Sequence, residues 1–212
     1  MWTDLLLQAA FILVTIFMFL AMHDIPKKIF NKIRYRNRAD FQAKRHFVLG
    51  AQLLAQARSS KSRSSATSLA KQAESEAEKA ISLDPKDAAA YILKALALDL
   101  QGFKTSALDS LDIALSPLAS KSLTDVERAD ALFKRAELKM AMNRRGSRVD
   151  SAMDDLTKAV ELRADNVKAF CLLGECYEMK KMKRDAKAAF EEALKLQPNS
   201  DVARAALDRL SS

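Results

Sequence analysis

Cysteine, histidine, glycine and proline are scarce in this chain. Its 212 residues include two cysteines, two histidines, four glycines and four prolines. Cys171 and Cys176 are five positions apart in a helical pattern, so they point to different faces and form neither a disulfide with each other nor a metal site. We interpret both as small core residues. Two cysteines in a chain of this length do not suggest a disulfide-stapled fold.

Motifs of catalytic chemistry are also missing. Neither His23 nor His46 has an aspartate and serine pattern around it, and the sequence has no glycine-rich phosphate loop, no His-Glu zinc motif and no nucleophile elbow. We therefore expect no enzymatic activity, no cofactor and no metal.

One long hydrophobic run is present near the N-terminus. Residues 5–22 read LLLQAAFILVTIFMFLAM, without a charged side chain. As a helix they would span about 27 Å, close to the hydrocarbon thickness of a bilayer. Asp4 is the only charge before the run, so the basic start of a cleaved signal peptide is missing. The run predicts a single transmembrane anchor over 1–23, with a signal peptide or a buried helix as alternatives.

Basic residues are concentrated directly after this run. Between residues 23 and 65 the eleven lysines and arginines exceed the two aspartates by nine, which together with Asp4 accounts for the whole net charge of +8. The positive-inside rule then places the C-terminal side of the run in the cytosol. The rest of the chain offers no basic excess for nucleic acid, so we expect no nucleic-acid partner.

Residues 24–40 are the densest part of this basic region, and we expect a juxtamembrane segment there. Ile29, Phe30 and Ile33 fall near one side of a helix among cations, which suits a segment lying on anionic headgroups. A solvated basic linker is the alternative. The cations expected at the membrane surface are Lys27, Lys28, Lys32, Arg34, Arg36 and Arg38.

Large and small residues fall at fixed offsets in residues 167–198. Small residues stand where two helix backbones approach closely, large residues where the helices share a buried face, and a proline ends the second helix. These positions are Phe170, Gly174, Tyr177, Ala186, Phe190, Ala193 and Pro198. The pattern resembles the tetratricopeptide repeat, a pair of antiparallel helices in about 34 residues.

The same pattern repeats upstream. Residues 87–115 align with it without gaps, with Tyr91, Ala95, Ala107 and Ala114 at signature positions. Alanines 80, 114, 159 and 193 are equivalent and lie 34, 45 and 34 residues apart. The third unit is therefore stretched, and we expect its extra residues in loops at 116–125 and 143–150. Lys139 stands in this unit where the family has an aromatic residue.

A degenerate first unit is expected over 41–85, with a serine-rich loop at 58–68. A capping helix, with Ser200 as its N-cap, is expected over 200–210. The predicted fold is all-α: a solenoid of about four helix pairs with a capping helix, preceded by one transmembrane helix. We divide the chain into an anchor (1–23), a basic segment (24–40) and a repeat domain (41–212). Four repeats exceed the three that are needed to bury a continuous core.

The resemblance also implies a binding surface, because such repeats hold peptides or helices in a groove lined by the first helix of each unit. The residues expected to line it are Ile92, Leu93, Leu96, Phe133, Leu172, Glu175 and Met179. The family's chaperone-binding clamp needs asparagines and cations at positions that fall here on Phe47, Ala51, Leu93, Asp130 and Lys134. Only Lys134 fits, so no carboxylate clamp is expected.

These features predict a membrane-anchored adaptor or receptor that presents its repeats to the cytosol and binds a protein partner in the groove. The alternative is a structural subunit or assembly factor of a membrane protein complex. The endoplasmic reticulum and the mitochondrial outer membrane both fit the orientation. The sequence identifies neither the partner, the pathway nor the oligomeric state, nor whether serines in 59–68 are phosphorylated.

Overall fold

The protein is described here from a computed structural model. It describes the backbone of residues 2–22, 25–142 and 147–211, and the side chains of 2–16, 18–19, 39–142 and 148–210. Within these ranges the chain forms ten α-helices and one 3₁₀ turn (Ser120–Ser122), without a β-strand, which confirms the all-α prediction. The helices are α1 (Trp2–Met22), α2 (Ile25–Ser59), α3 (Arg63–Leu83), α4 (Ala88–Gln101), α5 (Lys104–Ala114), α6 (Asp125–Met142), α7 (Ser147–Leu162), α8 (Val167–Met179), α9 (Lys183–Leu196) and α10 (Asp201–Ser211).

Helix α1 contains the hydrophobic run. Its large apolar side chains, from Trp2 to Phe19 where described, are 50 to 85% exposed. A search of the described residues for a helix long and apolar enough to cross a bilayer found none. The transmembrane helix predicted over 5–22 is therefore not supported.

Helix α2 runs without a break across the predicted boundary at residue 40. Its first half contains the basic segment, and Pro26 lies in the first turn, where a missing N–H costs no helical hydrogen bond. The side chains of Lys27, Lys28, Lys32, Arg34, Arg36 and Arg38 lie outside the described residues. The division into segments stays a prediction.

The serine-rich loop predicted over 58–68 is wrong in extent. Helix α2 continues to Ser59 and α3 begins at Arg63, so only residues 60–62 connect them. The Thr67 hydroxyl donates a hydrogen bond to the backbone carbonyl of Arg63 at 2.9 Å, within α3. Serine and threonine are acceptable at exposed helix positions, and the alanines that follow bury one face of α3 (Ala70, Ala73, Ala77 and Ala80).

Helices α2 to α9 pack as four successive pairs, and α10 packs on α9. In the last pair Gly174 of α8 faces the fully buried ring of Phe190 in α9 so closely that a Cβ atom at Gly174 would lie 2.7 Å from two ring carbons. Gly50 of α2 lies equally close to its neighbours, with Leu93 Cδ2 at 2.9 Å from the corresponding Cβ position. Glycine at these two positions therefore permits the close helix approaches.

Polar caps set where the repeat helices begin. Asp87 and Asn166 accept backbone N–H bonds from Ala89 and Ala169 at 3.0 and 3.1 Å. Thr124 and Glu127 form a reciprocal capping box before α6, with bonds of 2.9 and 3.3 Å. Ser200 caps α10, as predicted for the capping helix.

The stretched third unit contains the expected interruption between α5 and α6, where residues 115–124 form turns and the 3₁₀ segment. The second predicted loop, 143–150, is partly helical because α7 begins at Ser147; residues 143–146 lie outside the described backbone.

An ion cluster takes the place of an aromatic contact in this unit. Lys139 Nζ donates to Asp155 Oδ2 at 2.6 Å and to Ser151 Oγ at 2.7 Å. Arg135 donates to both oxygens of Asp155, at 2.9 and 2.5 Å. The Asp155 residue is 3% exposed. Burial opposes the charge on Arg135, but the interactions with Asp155 and Asp112 together outweigh burial and raise the arginine pKa.

Candidate functional site

A groove of about 770 Å³ crosses the helices that begin each repeat. Its floor is apolar and comes from α2, α4 and α6. The side chains on this floor are Phe47, Ala51, Leu54, Ala55, Ala89, Ile92, Leu93, Leu96, Ala131 and Phe133. Val167 and Lys168 extend the lining to the start of α8.

The larger floor residues are only half covered by the protein. Ile92, Leu96 and Phe133 each pack one side against a core cluster and leave the other side in the groove, whereas Leu93 is buried at 4% exposure. Partly covered apolar side chains gain free energy when a ligand removes them from water, at about 25 cal/mol per Å². The surface is therefore suited to an apolar segment.

Most charged groups at the rim are already paired. Arg163 bonds Asp130 and Asp165, each at 2.8 Å. Lys134 bonds Asp99 and Glu137, each at 2.7 Å. Burial of Lys134 disfavours its charge, but these two carboxylates outweigh that effect and raise the lysine pKa. Hydrogen bonds from Thr124 lower the pKa of Glu127, which is thus held in its cap.

Two cations of the lining are different. Arg58 at the end of α2 and Lys168 at the start of α8 have no ion pair or hydrogen bond with any described side chain. They lie on the first and the last of the four helices that contribute to the groove. Periodicity did not single them out, because nothing in the repeat pattern marks which surface charges lack partners.

The structure brings together four of the seven predicted groove residues. Ile92, Leu93, Leu96 and Phe133 line the groove. Leu172 is not among the lining residues and packs against the core cluster between α6, α7 and α8. Glu175 and Met179 line a second, smaller groove of about 500 Å³ between α8 and α10. Glu178 and Arg209 also line it, and they form an ion pair at 2.6 Å.

The positions that correspond to the chaperone clamp also lie in the main groove. Phe47, Ala51, Leu93, Asp130 and Lys134 all line it. Three of them are apolar, and Asp130 and Lys134 are both paired to other side chains. The side chains at these positions do not provide the donors that a terminal carboxylate needs.

No cluster of metal-binding side chains occurs among the described residues. Cys171 and Cys176 are both free thiols, and burial raises the pKa of Cys171 although Ser200 partly opposes the shift. A protonated thiol is a poor nucleophile and a poor ligand. Cys176 is fully buried in the core cluster of α6 to α8.

Stacked helix pairs with a groove along their first helices define a helical-repeat scaffold. Residues 167–200 match the tetratricopeptide repeat family. The match covers α8 and α9, the last of the four helix pairs. A search of curated proteins finds no sequence that matches this chain.

Solved structures show the same fold. YrrB, described as a tetratricopeptide protein with an unusual peptide-binding site, superposes with a TM-score of 0.63 at 19% identity, over 85% of this chain and 81% of its own. MamA from Desulfovibrio magneticus RS-1 gives 0.64 at 16% identity, over 80% and 84%. The first repeat domain of Spaghetti (RPAP3), bound to an HSP90 peptide, gives 0.51 at 22%, over 60% and 93%. These likenesses establish the fold alone.

Proposed function

We propose that this protein is a protein-interaction adaptor or receptor whose groove holds an apolar segment of a partner protein. The observation that carries the proposal is the half-covered apolar floor contributed by three successive repeats. Peptide binding by two proteins of the same fold, YrrB and the RPAP3 domain, supports the use of such a groove. The sequence has no recognisable catalytic motif, and this fits a binding role.

The groove is tested best by filling it rather than by placing charges in it, because the floor leucines also support the core. Ala55 is an exposed groove residue, so Ala55→Trp adds a ring to the groove without burying it in the fold. Ala188 on α9 is exposed and does not line the groove, so Ala188→Trp is the matched control.

Both variants should give the circular dichroism and thermal midpoint of the wild type. Only Ala55→Trp should lose the partners that crosslinking recovers with the full-length protein in its own cells. Equal partner recovery by the two variants would remove this groove from the function.

The second part of the proposal is attachment to a membrane through α1, with the repeats in the cytosol. The described large apolar side chains of α1 are exposed, which is unfavourable in water, so another apolar phase should cover them. The basic residues that follow supply attraction to anionic lipid. The surface of the endoplasmic reticulum or of the mitochondrial outer membrane fits this arrangement.

Membrane attachment predicts that the full-length protein stays in the pellet after carbonate extraction. Added protease should digest the repeats on intact organelles without detergent. A carbonate-soluble protein would exclude the anchor, whereas protected repeats would reverse the orientation.

A structural subunit or assembly factor of a membrane complex is the second candidate, and the exposed α1 favours it equally. The two differ in lifetime: an adaptor exchanges its partner, whereas a subunit co-purifies with a fixed set at constant stoichiometry. Affinity purification under mild and stringent salt distinguishes these outcomes.

A further inference from the structure

The charges around the groove restrict what can bind there. Glu127 is held by its capping bonds, Asp130 by Arg163, and Lys134 by two carboxylates. Arg58 and Lys168 alone among the charged lining residues have no engaged partner in the described structure. A ligand that spans the groove would therefore meet an apolar middle with an available cation at each end.

We propose that the groove binds an amphipathic helix whose apolar face is flanked by acidic residues at both ends. The inference rests on the proposed binding function of the groove and adds the chemistry of its partner. The floor supplies the apolar contact, and Arg58 and Lys168 supply attraction and register. The lining runs from α2 across α4 and α6 to the start of α8, so a ligand that reaches both cations contacts residues from all four helix pairs.

Segments of this chain fit the groove less well. Residues 25–40 belong to the same uninterrupted helix as Phe47 and Arg58, so they continue along its axis and do not turn back into the groove. They are also strongly basic and would be repelled by Arg58 and Lys168. Helix α1 is apolar on all sides and Asp4 is its only charged residue, so it lacks the paired acidic ends.

The test uses three synthetic peptides of about 20 residues, which are about 30 Å long as helices. They share one leucine face at helical spacing and differ only at their ends, which carry two glutamates, two lysines or two glutamines. Acetylated and amidated termini remove the terminal charges. Fluorescence anisotropy measures their binding to the full-length protein in uncharged detergent, and circular dichroism checks that their helicity is equal.

The glutamate peptide should bind about tenfold more tightly than the lysine peptide at low salt, and the difference should shrink at high salt because the cations are at the rim. The double variant Arg58→Glu with Lys168→Glu should reverse this order. Its matched control, Arg148→Glu with Lys158→Glu, makes the same charge change at exposed α7 positions outside the groove and should leave the order unchanged.

Each other outcome is decisive. Equal binding of the three peptides, abolished by Ala55→Trp, would overturn the acidic-end inference while supporting the groove. Binding of the glutamate peptide that survives Ala55→Trp would place it elsewhere and overturn the inference. No binding of any peptide would overturn both the inference and the proposed function. A concentration-dependent oligomer that excludes the peptides would identify a second copy as the occupant.

Discussion

Replacing Gly174 by alanine tests how closely the two helices of the last repeat approach. In an open helix this change stabilises by about 1 kcal/mol, because alanine loses less conformational entropy than glycine. Here the new Cβ would lie 2.7 to 2.8 Å from three carbons of the Phe190 ring. Carbon atoms normally approach to about 3.5 Å, so one side must move by about 0.8 Å.

The neighbouring packing makes that movement costly. Phe190 is fully buried, and Ala186, Ala193, Ala203 and Ala206 surround it in one core cluster. Over-packing of such a site costs about 1 to 3 kcal/mol. We expect the upper part of that range to win over the gain in helix propensity, for a net loss of about 2 kcal/mol.

The measurement is the free energy of unfolding from urea titration of the full-length protein, followed by ellipticity at 222 nm. Phe190→Leu removes the ring carbons that the new Cβ would meet. In that background Gly174→Ala should be neutral or stabilising, with a coupling energy of at least about 1 kcal/mol. A single variant as stable as the wild type, or purely additive effects, would refute the packing argument.

Four further outcomes follow from the contacts. Asp155→Ala removes the buried carboxylate that Arg135 and Lys139 share and should cost about 3 to 5 kcal/mol by urea titration; Asp154→Ala, at the exposed neighbour, should have little effect. Leu172→Glu should lower the thermal midpoint, because Leu172 packs on the core, whereas Ala55→Trp should not. Hydrogen bonds from Lys79 and His46 lower the pKa of Glu76 below its ordinary 4.5, so its stabilisation is present above pH 4.5 and is lost as pH falls through the lowered pKa. Glu76→Gln should therefore flatten the acid side of the stability profile measured by thermal unfolding. Mass spectrometry should find phosphoserine within residues 59–65, where exposed serines adjoin Lys61 and Arg63 at the start of α3 and a phosphate would favour the helix N-terminus; its absence under several growth conditions would contradict this.

The fold was largely predictable because its packing rules are local. Gly174 and Phe190 were recognisable from spacing alone, and the structure places them in direct opposition. Ser200 indicated the start of the last helix because a serine hydroxyl can accept a backbone N–H bond at a helix N-terminus. The loop predicted over 58–68 was wrong in extent because a serine-rich composition is typical of loops. Burial of the alanines in α3 stabilises the helix in spite of that composition.

The candidate site was predictable only in part. Ile92, Leu93, Leu96 and Phe133 follow from the repeat register, since equivalent positions face one surface. Leu172 has the same register, yet it packs against the core cluster of α6 to α8 and does not line the groove. Pairing in the lining depends on contacts between distant residues, such as Arg163 with Asp130, 33 residues apart. The sequence pattern therefore does not show that Arg58 and Lys168 are available.

Helix α2 follows α1 in the chain and connects it to the repeats. The same helix also forms the first wall of the groove. Phe47 lies 22 residues from its beginning, so about 33 Å of continuous helix precede the groove. This continuous helix therefore fixes both the distance and the rotational orientation of the groove relative to the N-terminal end of α2. Insertion of one residue into this part of α2 would rotate the groove by about 100° around the helix axis. Insertion of seven residues would restore the orientation of the groove to within about 20°.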